Sequence, residues 1–400
     1  MNNETRKETQ VLPKDVRYVG ADDLTLPLFE NQYPVQPMGV SYNSYLILDE
    51  KVAVMDSVDA RAADEWLAKL AHELDGRRPD YLVISHMEPD HSGSILRLAE
   101  KYQEMKLVGN TKTFTMLRQF FGAKAPTDDR LLEVGEGETL PLGAHTLHFM
   151  LAPMVHWPEV MVAYEETEKI LFSADAFGRF GSLRRTAAAP WAPQARRYYY
   201  NIVGKYGAQV QALLKKASAL EIKTVCPLHG PVLTGEALGE ALRLYDLWSR
   251  WQSEAPEEIL LAHASIHGNT ARAAELLKQK LEAKGARVTL CDLTTTEVSY
   301  AVANAFYCGK LVLACSTYDG GLFPPMEKFL SHLQAKGFRD RSVGLMENGS
   351  WAPAAARLMR AKLEEMKDLR VCGTVVSLRS ALSPANEAQM EALSAELCAE

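Results

Sequence analysis

Residues able to bind metal are concentrated in one short segment, His86–His91, which reads His-Met-Glu-Pro-Asp-His. The segment follows the apolar run Tyr81–Ser85, which predicts a buried strand, so its four candidate ligands should lie on a loop at the carboxyl end of that strand. Three further candidates come just after or within apolar, strand-like segments: His156, Asp175 and His229. The set holds four imidazoles, three carboxylates and no thiolate. Such a set suits iron or manganese and could also hold zinc.

The spacing within His86–His91 would let one loop serve two metal ions. Its first two ligands can point to one side of the loop and its last two to the other. Seven ligands from the ends of four strands are enough for two metals that share a carboxylate, and Asp175 is a good candidate for that bridge. His156 and His229 would each complete one metal. Any one of these residues alone is usually structural, but the ordered set predicts a two-metal site.

Length and composition indicate an ordinary globular protein with two domains. The chain has 400 residues, 47% of them hydrophobic and 24% charged. A net charge of −7 argues against non-specific nucleic-acid binding. No apolar run reaches the roughly 20 residues that span a bilayer, and the polar N-terminus has no apolar signal region. We therefore expect a cytoplasmic protein without membrane or nucleic-acid partners. The six cysteines form no Cys-x-x-Cys pair, so a rubredoxin or zinc-ribbon site is excluded.

The chain changes character near Trp251–Glu258, where an acidic, proline-containing stretch looks like a short linker. Beyond it, five strands alternate with five helices, which is the pattern of a doubly wound parallel sheet of flavodoxin size. We predict strands over Ile259–Ser265, Arg287–Leu293, Leu311–Ser316, Ser342–Glu347 and Val371–Val376. We predict helices over Thr270–Lys284, Glu297–Phe306, Met326–Ala335, Ala354–Met366 and Pro384–Ala399. The predicted domains are residues 1–253 and 254–400.

Three loops of the second domain could bind a flavin. The first opens a helix with small polar residues and no Lys or Arg, so its backbone N–H groups suit the phosphate of flavin mononucleotide (FMN). Tyr318 and Trp351 could flank a planar ring, while His267 could add charge near the phosphate or simply pack there. The alternative is ordinary turn chemistry with two core aromatics. The candidate FMN-binding residues are Ser265, Ile266, His267, Gly268, Asn269, Thr270, Ser316, Thr317, Tyr318, Asp319, Gly320, Gly321, Glu347, Asn348, Gly349, Ser350 and Trp351.

The metal motif resembles that of the metallo-β-lactamase superfamily, whose hydrolases carry His-x-His-x-Asp-His. Glu88 stands where those hydrolases have the second histidine, and this replacement is typical of the flavodiiron proteins, also called A-type flavoproteins. Four other segments look like the same family: Pro37–Tyr45, Arg196–Ile202, Gly320–Met326 and Glu347–Pro353. The resemblance spans nearly the whole chain. It implies a metallo-β-lactamase-like αββα sandwich followed by a flavodoxin-like doubly wound parallel five-stranded sheet.

The resemblance also implies a ligand assignment. One iron would be held by His86, Glu88 and His156, the second by Asp90, His91 and His229, with Asp175 between them. The equivalent of His91 is not a direct ligand in every family member, so its role stays open. Tyr198 or Tyr199 could approach the metals as a hydrogen-bond donor, and an aromatic packing role is the alternative.

The implied function is reduction of O2 to water, of NO to N2O, or of both, at a non-haem diiron site fed by FMN. The ligands do not decide which gas is preferred. The family forms head-to-tail homodimers that bring the flavin of one subunit near the irons of the other, and a dimer of dimers is also possible. The electron donor would be a separate rubredoxin, a flavin reductase or reduced deazaflavin. Two alternatives are a zinc hydrolase with an appended flavodoxin domain and an electron carrier with a degenerate metal domain.

Overall fold

The computed structural model describes residues 12–399, so the polar N-terminal segment 1–8 that was considered for a signal region lies outside the described residues. The chain forms two compact units, the first ending at Asp246 and the second beginning at Leu247. The domain boundary predicted after residue 253 lies within the second of these units. Among the described helices, none is long and apolar enough to cross a membrane.

The strands of the first unit are short. In chain order they are β1 (Val16–Tyr18), β2 (Ala21–Asp23), β3 (Leu28–Phe29), β4 (Tyr33–Pro34), β5 (Val40–Tyr42), β6 (Tyr45–Leu48), β7 (Val52–Met55), β8 (Tyr81–Val83), β9 (Lys106–Gly109), β10 (Leu131–Glu133), β11 (Thr139–Pro141), β12 (Thr146–Leu151), β13 (Met161–Glu165), β14 (Ile170–Phe172), β15 (Thr224–Cys226) and β16 (Leu233–Thr234). They build two six-stranded sheets, β1-β6-β7-β8-β9-β10 and β11-β12-β13-β14-β15-β16, and the small pairs β2–β5 and β3–β4.

The α-helices of the first unit are α1 (Ala63–Leu74), α2 (Pro89–Ser92), α3 (Ile95–Lys101), α4 (Thr111–Phe121), α5 (Leu183–Thr186), α6 (Trp191–Tyr198), α7 (Gly207–Ala217) and α8 (Gly235–Ser249), whose last three residues lie past the end of the unit at Asp246. Helix α6 continues into a π-helical turn, Tyr199–Val203. Helix α1 shows why these segments are helical: it buries Trp66, Leu70 and Leu74, which recur every four residues and so form one apolar stripe.

The two six-stranded sheets enclose one hydrophobic core. Ile47 and Met55 of the first sheet belong to the same buried cluster as Phe149 and Phe172 of the second. Because alternate residues of a strand point to opposite faces, each sheet contributes one apolar face to this layer. The predicted sandwich is confirmed.

The second unit contains strands β17 (Ala255–Ala264), β18 (Arg287–Asp292), β19 (Cys308–Tyr318), β20 (Gly321–Leu322), β21 (Arg341–Asn348) and β22 (Leu369–Leu378), and helices α9 (Asn269–Ala283), α10 (Val298–Tyr307), α11 (Pro324–Ala335), α12 (Ala355–Glu364) and α13 (Pro384–Cys398). Five strands pair in parallel in the order β18-β17-β19-β21-β22, and the short β20 pairs with β19. This is the flavodoxin-like order. All five predicted strands and all five predicted helices are present.

Candidate functional site

The candidate metal ligands follow strands of both sheets of the first unit. His86 comes shortly after β8 of one sheet, whereas His156, Asp175 and His229 come after β12, β14 and β15 of the other. The prediction that the whole segment His86–His91 is a loop is wrong in one respect. Pro89 begins helix α2, because its fixed φ suits the first helical position, so Asp90 and His91 lie on a helical turn.

The first ligand group consists of His86, Glu88, His156 and Asp175. Glu88 Oε2 lies 3.3 Å from His86 Nε2 and 3.1 Å from His156 Nε2. Asp175 Oδ2 lies 3.4 and 3.1 Å from the same two nitrogen atoms. Two imidazoles and two carboxylate oxygens therefore converge on one point.

The second ligand group consists of Asp90, His91 and His229. Asp90 Oδ2 lies 3.3 Å from His91 Nε2 and 3.2 Å from His229 Nε2, and these two nitrogens are 3.1 Å apart. The other oxygen of Asp175, Oδ1, lies 3.2 Å from His91 Nε2. One oxygen of Asp175 thus faces each group, as a bridging carboxylate would.

These separations fit two metal ions. Two ligand atoms that each lie about 2.1 Å from a metal are about 3.0 Å apart at a right angle and about 3.4 Å apart at a tetrahedral angle. Asp175 Oδ1 and both carboxylate oxygens of Asp90 are buried and have no hydrogen-bond partner among residues 12–399. Buried carboxylate oxygens without partners are costly, and a metal would remove that cost.

Hydrogen bonds behind the imidazoles aim their nitrogen lone pairs at the two groups. His229 Nδ1 lies 2.7 Å from the backbone oxygen of Ser41, which can only accept, so the proton must be on Nδ1 and the lone pair on Nε2. His86 Nδ1 lies 2.7 Å from Oε1 of the fully buried Glu159. Sequence reasoning missed Glu159, because an acid three residues after His156 is not by itself a signal of a buried partner.

The carboxylates and imidazoles of the site shift one another's pKa values. Burial lowers the pKa of His86, but Asp175, Glu159 and Glu88 together raise that pKa well above its usual value. Burial raises the pKa of Asp175, yet the imidazoles around it, led by His91 and His86, hold that pKa well below its usual value. Burial lowers the pKa of His156, but Asp175 and Glu88 raise that pKa to about 9. The carboxylates therefore create a negative potential at the imidazoles, which a bound metal cation would also experience.

The two candidate tyrosines differ in position. The buried hydroxyl of Tyr198 has no hydrogen-bond partner among the described residues, and its ring centroid is 5.5 Å from that of His229. Burial raises the pKa of Tyr198, and the carboxylates of Asp175 and Asp90 raise it further. Tyr199 instead packs against Tyr200 and Tyr245, with ring centroids 5.2 and 5.1 Å away. Tyr198 lies beside the ligands, whereas Tyr199 belongs to an aromatic cluster.

A cavity of about 600 Å³ reaches the ligands. Glu88 and Asp90 form part of its wall, together with the apolar side chains of Leu28 and Phe29, and Arg61 also lines it. A small uncharged molecule could enter by this route.

The predicted flavin loops of the second unit are joined to one another. Thr270 at the start of α9 has its hydroxyl 2.9 Å from that of Ser316, and Asn348 Nδ2 lies 3.3 Å from Thr270 Oγ1. Ser265 Oγ accepts a hydrogen bond from the backbone of Gly268, whose φ of +85° suits glycine. The three loops therefore form one structured surface.

The aromatic side chains of these loops are exposed. Trp351 is 88% exposed and Tyr318 is 44% exposed, which contradicts their alternative reading as core residues. His267 is also exposed. Glu347 is different, because its carboxylate accepts hydrogen bonds from Ala356 N and Ser377 Oγ, each at 2.9 Å. That side chain holds its own unit together.

Comparison with known proteins agrees with this geometry. Residues 40–230 match the family model described as ODP family beta lactamase. The chain is 28% identical over 358 residues to the rubredoxin-oxygen oxidoreductase of Megalodesulfovibrio gigas, covering 87% of both chains. It is 27% identical over 361 residues to the nitric oxide reductase of Moorella thermoacetica, covering 88% of both. The crystal structure of the flavodiiron protein from Giardia intestinalis superposes with a TM-score of 0.88 and 25% identity, covering 96% of this chain and 95% of that one.

Over most of its length the chain is similar in sequence and in fold to flavodiiron proteins. The two ligand groups and the flavodoxin-like sheet are the parts that such a protein needs to hold two irons and a flavin. The predicted zinc hydrolase is not favoured, since the two curated relatives above are named as an oxidoreductase and a reductase. The reading as a degenerate metal domain is not favoured either, because all seven candidate ligands fall into the two groups.

Proposed function

We propose that this chain is a flavodiiron oxidoreductase that reduces O2 to water, NO to N2O, or both. The observation that carries the proposal is the pair of ligand groups that share Asp175, one oxygen to each. One metal would be held by His86, Glu88 and His156, and the other by Asp90, His91 and His229. The short contacts of His91 Nε2 support including it as a direct ligand.

When bound, two ferrous ions would supply electrons to a diatomic molecule, and a flavin would replace those electrons singly. O2 needs four electrons and four protons to give two waters, and two NO need two electrons and two protons to give N2O and water. The protein holds the ligands in place, and the substrate would reach them through the cavity beside Glu88 and Asp90. Because the raised pKa keeps the Tyr198 hydroxyl protonated, we assign it the role of hydrogen-bond donor beside the second group.

We further propose FMN as the flavin. The loop that opens α9 offers backbone N–H groups at the start of a 15-residue helix and contains no Lys or Arg. A single phosphate suits such a loop. The exposed rings of Tyr318 and Trp351 are available to cover the isoalloxazine ring. The remaining residues of the three loops stay predictions.

Several features of the working protein remain proposals carried by family resemblance. We propose a head-to-tail homodimer, or a dimer of dimers, in which electrons pass from the flavin of one subunit to the irons of the next. We propose a separate donor, which would be a rubredoxin, a flavin reductase or reduced deazaflavin. We also retain a cytoplasmic location and a domain boundary near residue 253.

Metal and flavin analysis followed by rapid mixing tests the function. We expect two irons and one FMN per chain, and anaerobic stopped-flow mixing of the reduced protein with O2 and with NO should reoxidise it. Asp175→Asn should lose iron and slow reoxidation at least about 100-fold, since even outer partners of metal ligands are worth 10–100-fold in affinity or activity. The matched control is Asp80→Asn, just before β8 at the end of the strand opposite His86, and it should leave both the iron content and the reoxidation rate unchanged. Zinc together with lactone or thioester hydrolysis would refute the proposal.

A further inference from the structure

The two ligand groups are equal in composition. Each has two imidazoles and one carboxylate of its own, and each faces one oxygen of Asp175. The ligands alone therefore give the two metal positions the same formal charge. An electronic difference between the positions must come from the groups that contact the ligands from behind.

A full negative charge lies behind the first group. Glu159 Oε1 is 2.7 Å from His86 Nδ1 and accepts a hydrogen bond from the backbone of Met87 at 2.9 Å. The side chain of Glu159 is completely buried, and its Oε2 has no hydrogen-bond partner among the described residues. The charge on this carboxylate is thus poorly screened and acts on His86 directly.

The hydrogen-bond partner behind the second group is neutral, and the buried carboxylate of Asp56 acts on an imidazole of each group, His91 and His86. His229 Nδ1 donates to the backbone oxygen of Ser41 at 2.7 Å. His91 Nδ1 is buried without a hydrogen-bond partner in the part of the chain that the structure describes. A carboxylate that accepts a hydrogen bond from a metal-bound imidazole makes that imidazole a more basic ligand. A backbone oxygen, as at His229, or no partner, as at His91, has a smaller effect on the basicity of the imidazole.

We propose that Glu159 makes the two metal positions unequal, so that the metal bound by His86 has a lower reduction potential than the metal bound by His91 and His229. Glu159 is a positioning residue that also supplies charge. The inference rests on the proposed function, because it takes both metals to be iron. When bound, each ferric ion would accept one electron from the flavin to become ferrous. The first electron would then go to the position held by His229 and the second to the position held by His86, so Glu159 would stabilise the state with one ferric and one ferrous ion.

Glu159→Gln tests this directly. The glutamine oxygen can accept the same two hydrogen bonds, so the substitution removes the charge and keeps the contacts. In the iron-loaded full-length protein, the comproportionation constant of the mixed-valent state should fall at least tenfold. For one electron this narrows the gap between the two midpoint potentials by about 59 mV. The measurement is a redox titration followed by electron paramagnetic resonance, with the flavin potential, expected to be unchanged, as internal reference.

The chain offers a matched control in Glu165, a second buried carboxylate against a histidine. Its Oε1 lies 3.0 Å from His145 Nδ1, and the pair has no described contact with a candidate ligand. Glu165→Gln should leave the comproportionation constant unchanged. An equal fall in both variants would overturn the proposal, because it would show a general loss of structure.

An unchanged constant in Glu159→Gln with two irons bound would also overturn it. If that variant loses iron, Glu159→Asp decides, since it keeps the charge and should keep the constant within threefold of wild type. A tenfold fall in Glu159→Asp would contradict the role of the charge. Two irons in the wild-type protein check the proposed function separately, before any variant is compared.

Discussion

Replacing Asp56 by Asn should stabilise the metal-free protein at neutral pH. Asp56 follows β7 and is buried, and its Oδ1 accepts a hydrogen bond at 2.7 Å from the backbone of Ser85, next to His86. Burial raises the pKa of Asp56 to about 6, although Ser85 and the imidazoles of His91 and His86 act to lower it. Ionisation of the Asp56 carboxylate therefore lowers the free energy of unfolding at neutral pH.

The size and sign of the effect follow from that pKa. An unfolded chain releases the Asp56 proton near pH 3.8, whereas the folded chain keeps it to about pH 6. Between these values the folded state binds more protons, so the free energy of unfolding falls as pH rises and is then constant. The difference corresponds to about 3 kcal/mol. Asparagine resembles the neutral form, can accept the same hydrogen bond, and tolerates the φ of 57° at this position.

Urea unfolding of metal-free wild-type and variant protein between pH 4 and 8 measures the effect. The variant should match wild type near pH 4 and gain up to about 3 kcal/mol above pH 6. Asp75→Asn, at an exposed residue with a φ of 44°, measures the contribution of the backbone conformation alone. Two bound divalent cations favour the carboxylate, so the gain should shrink in the metal-loaded protein. A gain of equal size at every pH, or a loss at pH 7, would refute the reasoning.

Three further outcomes are expected. Gly230→Ala should destabilise the protein by about 1–3 kcal/mol and weaken iron retention, because the residue has a φ of +81° and a Cβ there would lie 2.6 Å from Arg179 Cγ. Thermal unfolding measures the effect, with Gly285→Ala as the control, since Gly285 has a φ of +89° but lies in open space. An equal loss of stability in the two variants would contradict this prediction. Trp351→Ala should weaken FMN binding while changing the free energy of unfolding by less than about 0.5 kcal/mol. A fluorescence titration measures the FMN affinity, with Phe120→Ala, at another exposed aromatic residue, as the control. Equal FMN affinity in the two variants would contradict the prediction. Burial raises the pKa of the Cys315 thiol to about 12. At pH 8 a thiol reagent should therefore label the half-buried Cys398 before Cys315, as followed by mass spectrometry. Rapid labelling of Cys315 would contradict its burial.

Much of the metal centre could be predicted because its residues keep a regular relation to strands. Asp175 and His229 each come three residues after a buried strand, and these two strands, β14 and β15, are parallel neighbours. Polar residues after short apolar runs are visible in a sequence, and parallel strands end at the same edge. The approach of β8 from the other sheet is a long-range contact with no local signal. The role of His91 depends on distances of a few tenths of an ångström, which no spacing encodes.

Other features could not be predicted because their meaning lies in burial. Glu159 looks like any surface acid, and only the fold shows it enclosed behind His86. The stretch before Ile259 looked like a linker, yet Ala255 already pairs with Cys308 of β19 ahead of an irregularity in register. At Gly309 a Cβ would lie 2.0 Å from the backbone oxygen of Pro256, so only glycine allows this approach. Polar composition and a proline concealed the start of that strand.

The identity of residue 88 connects the ligand geometry with the redox chemistry. Glu88 Oε2 contacts both imidazoles of the first group, so a histidine in its place would leave that position with neutral ligands and a share of Asp175. With Glu88 present, the three ligand carboxylates offset three of the four positive charges of two ferrous ions, and the buried carboxylate of Glu159 offsets the fourth. A buried site is costly when its charges are unmatched. The four carboxylates therefore match the charge of a ferrous pair, and they would stabilise the higher charge of the ferric ions further, so Glu88 lowers the reduction potential of the position that it would help to hold.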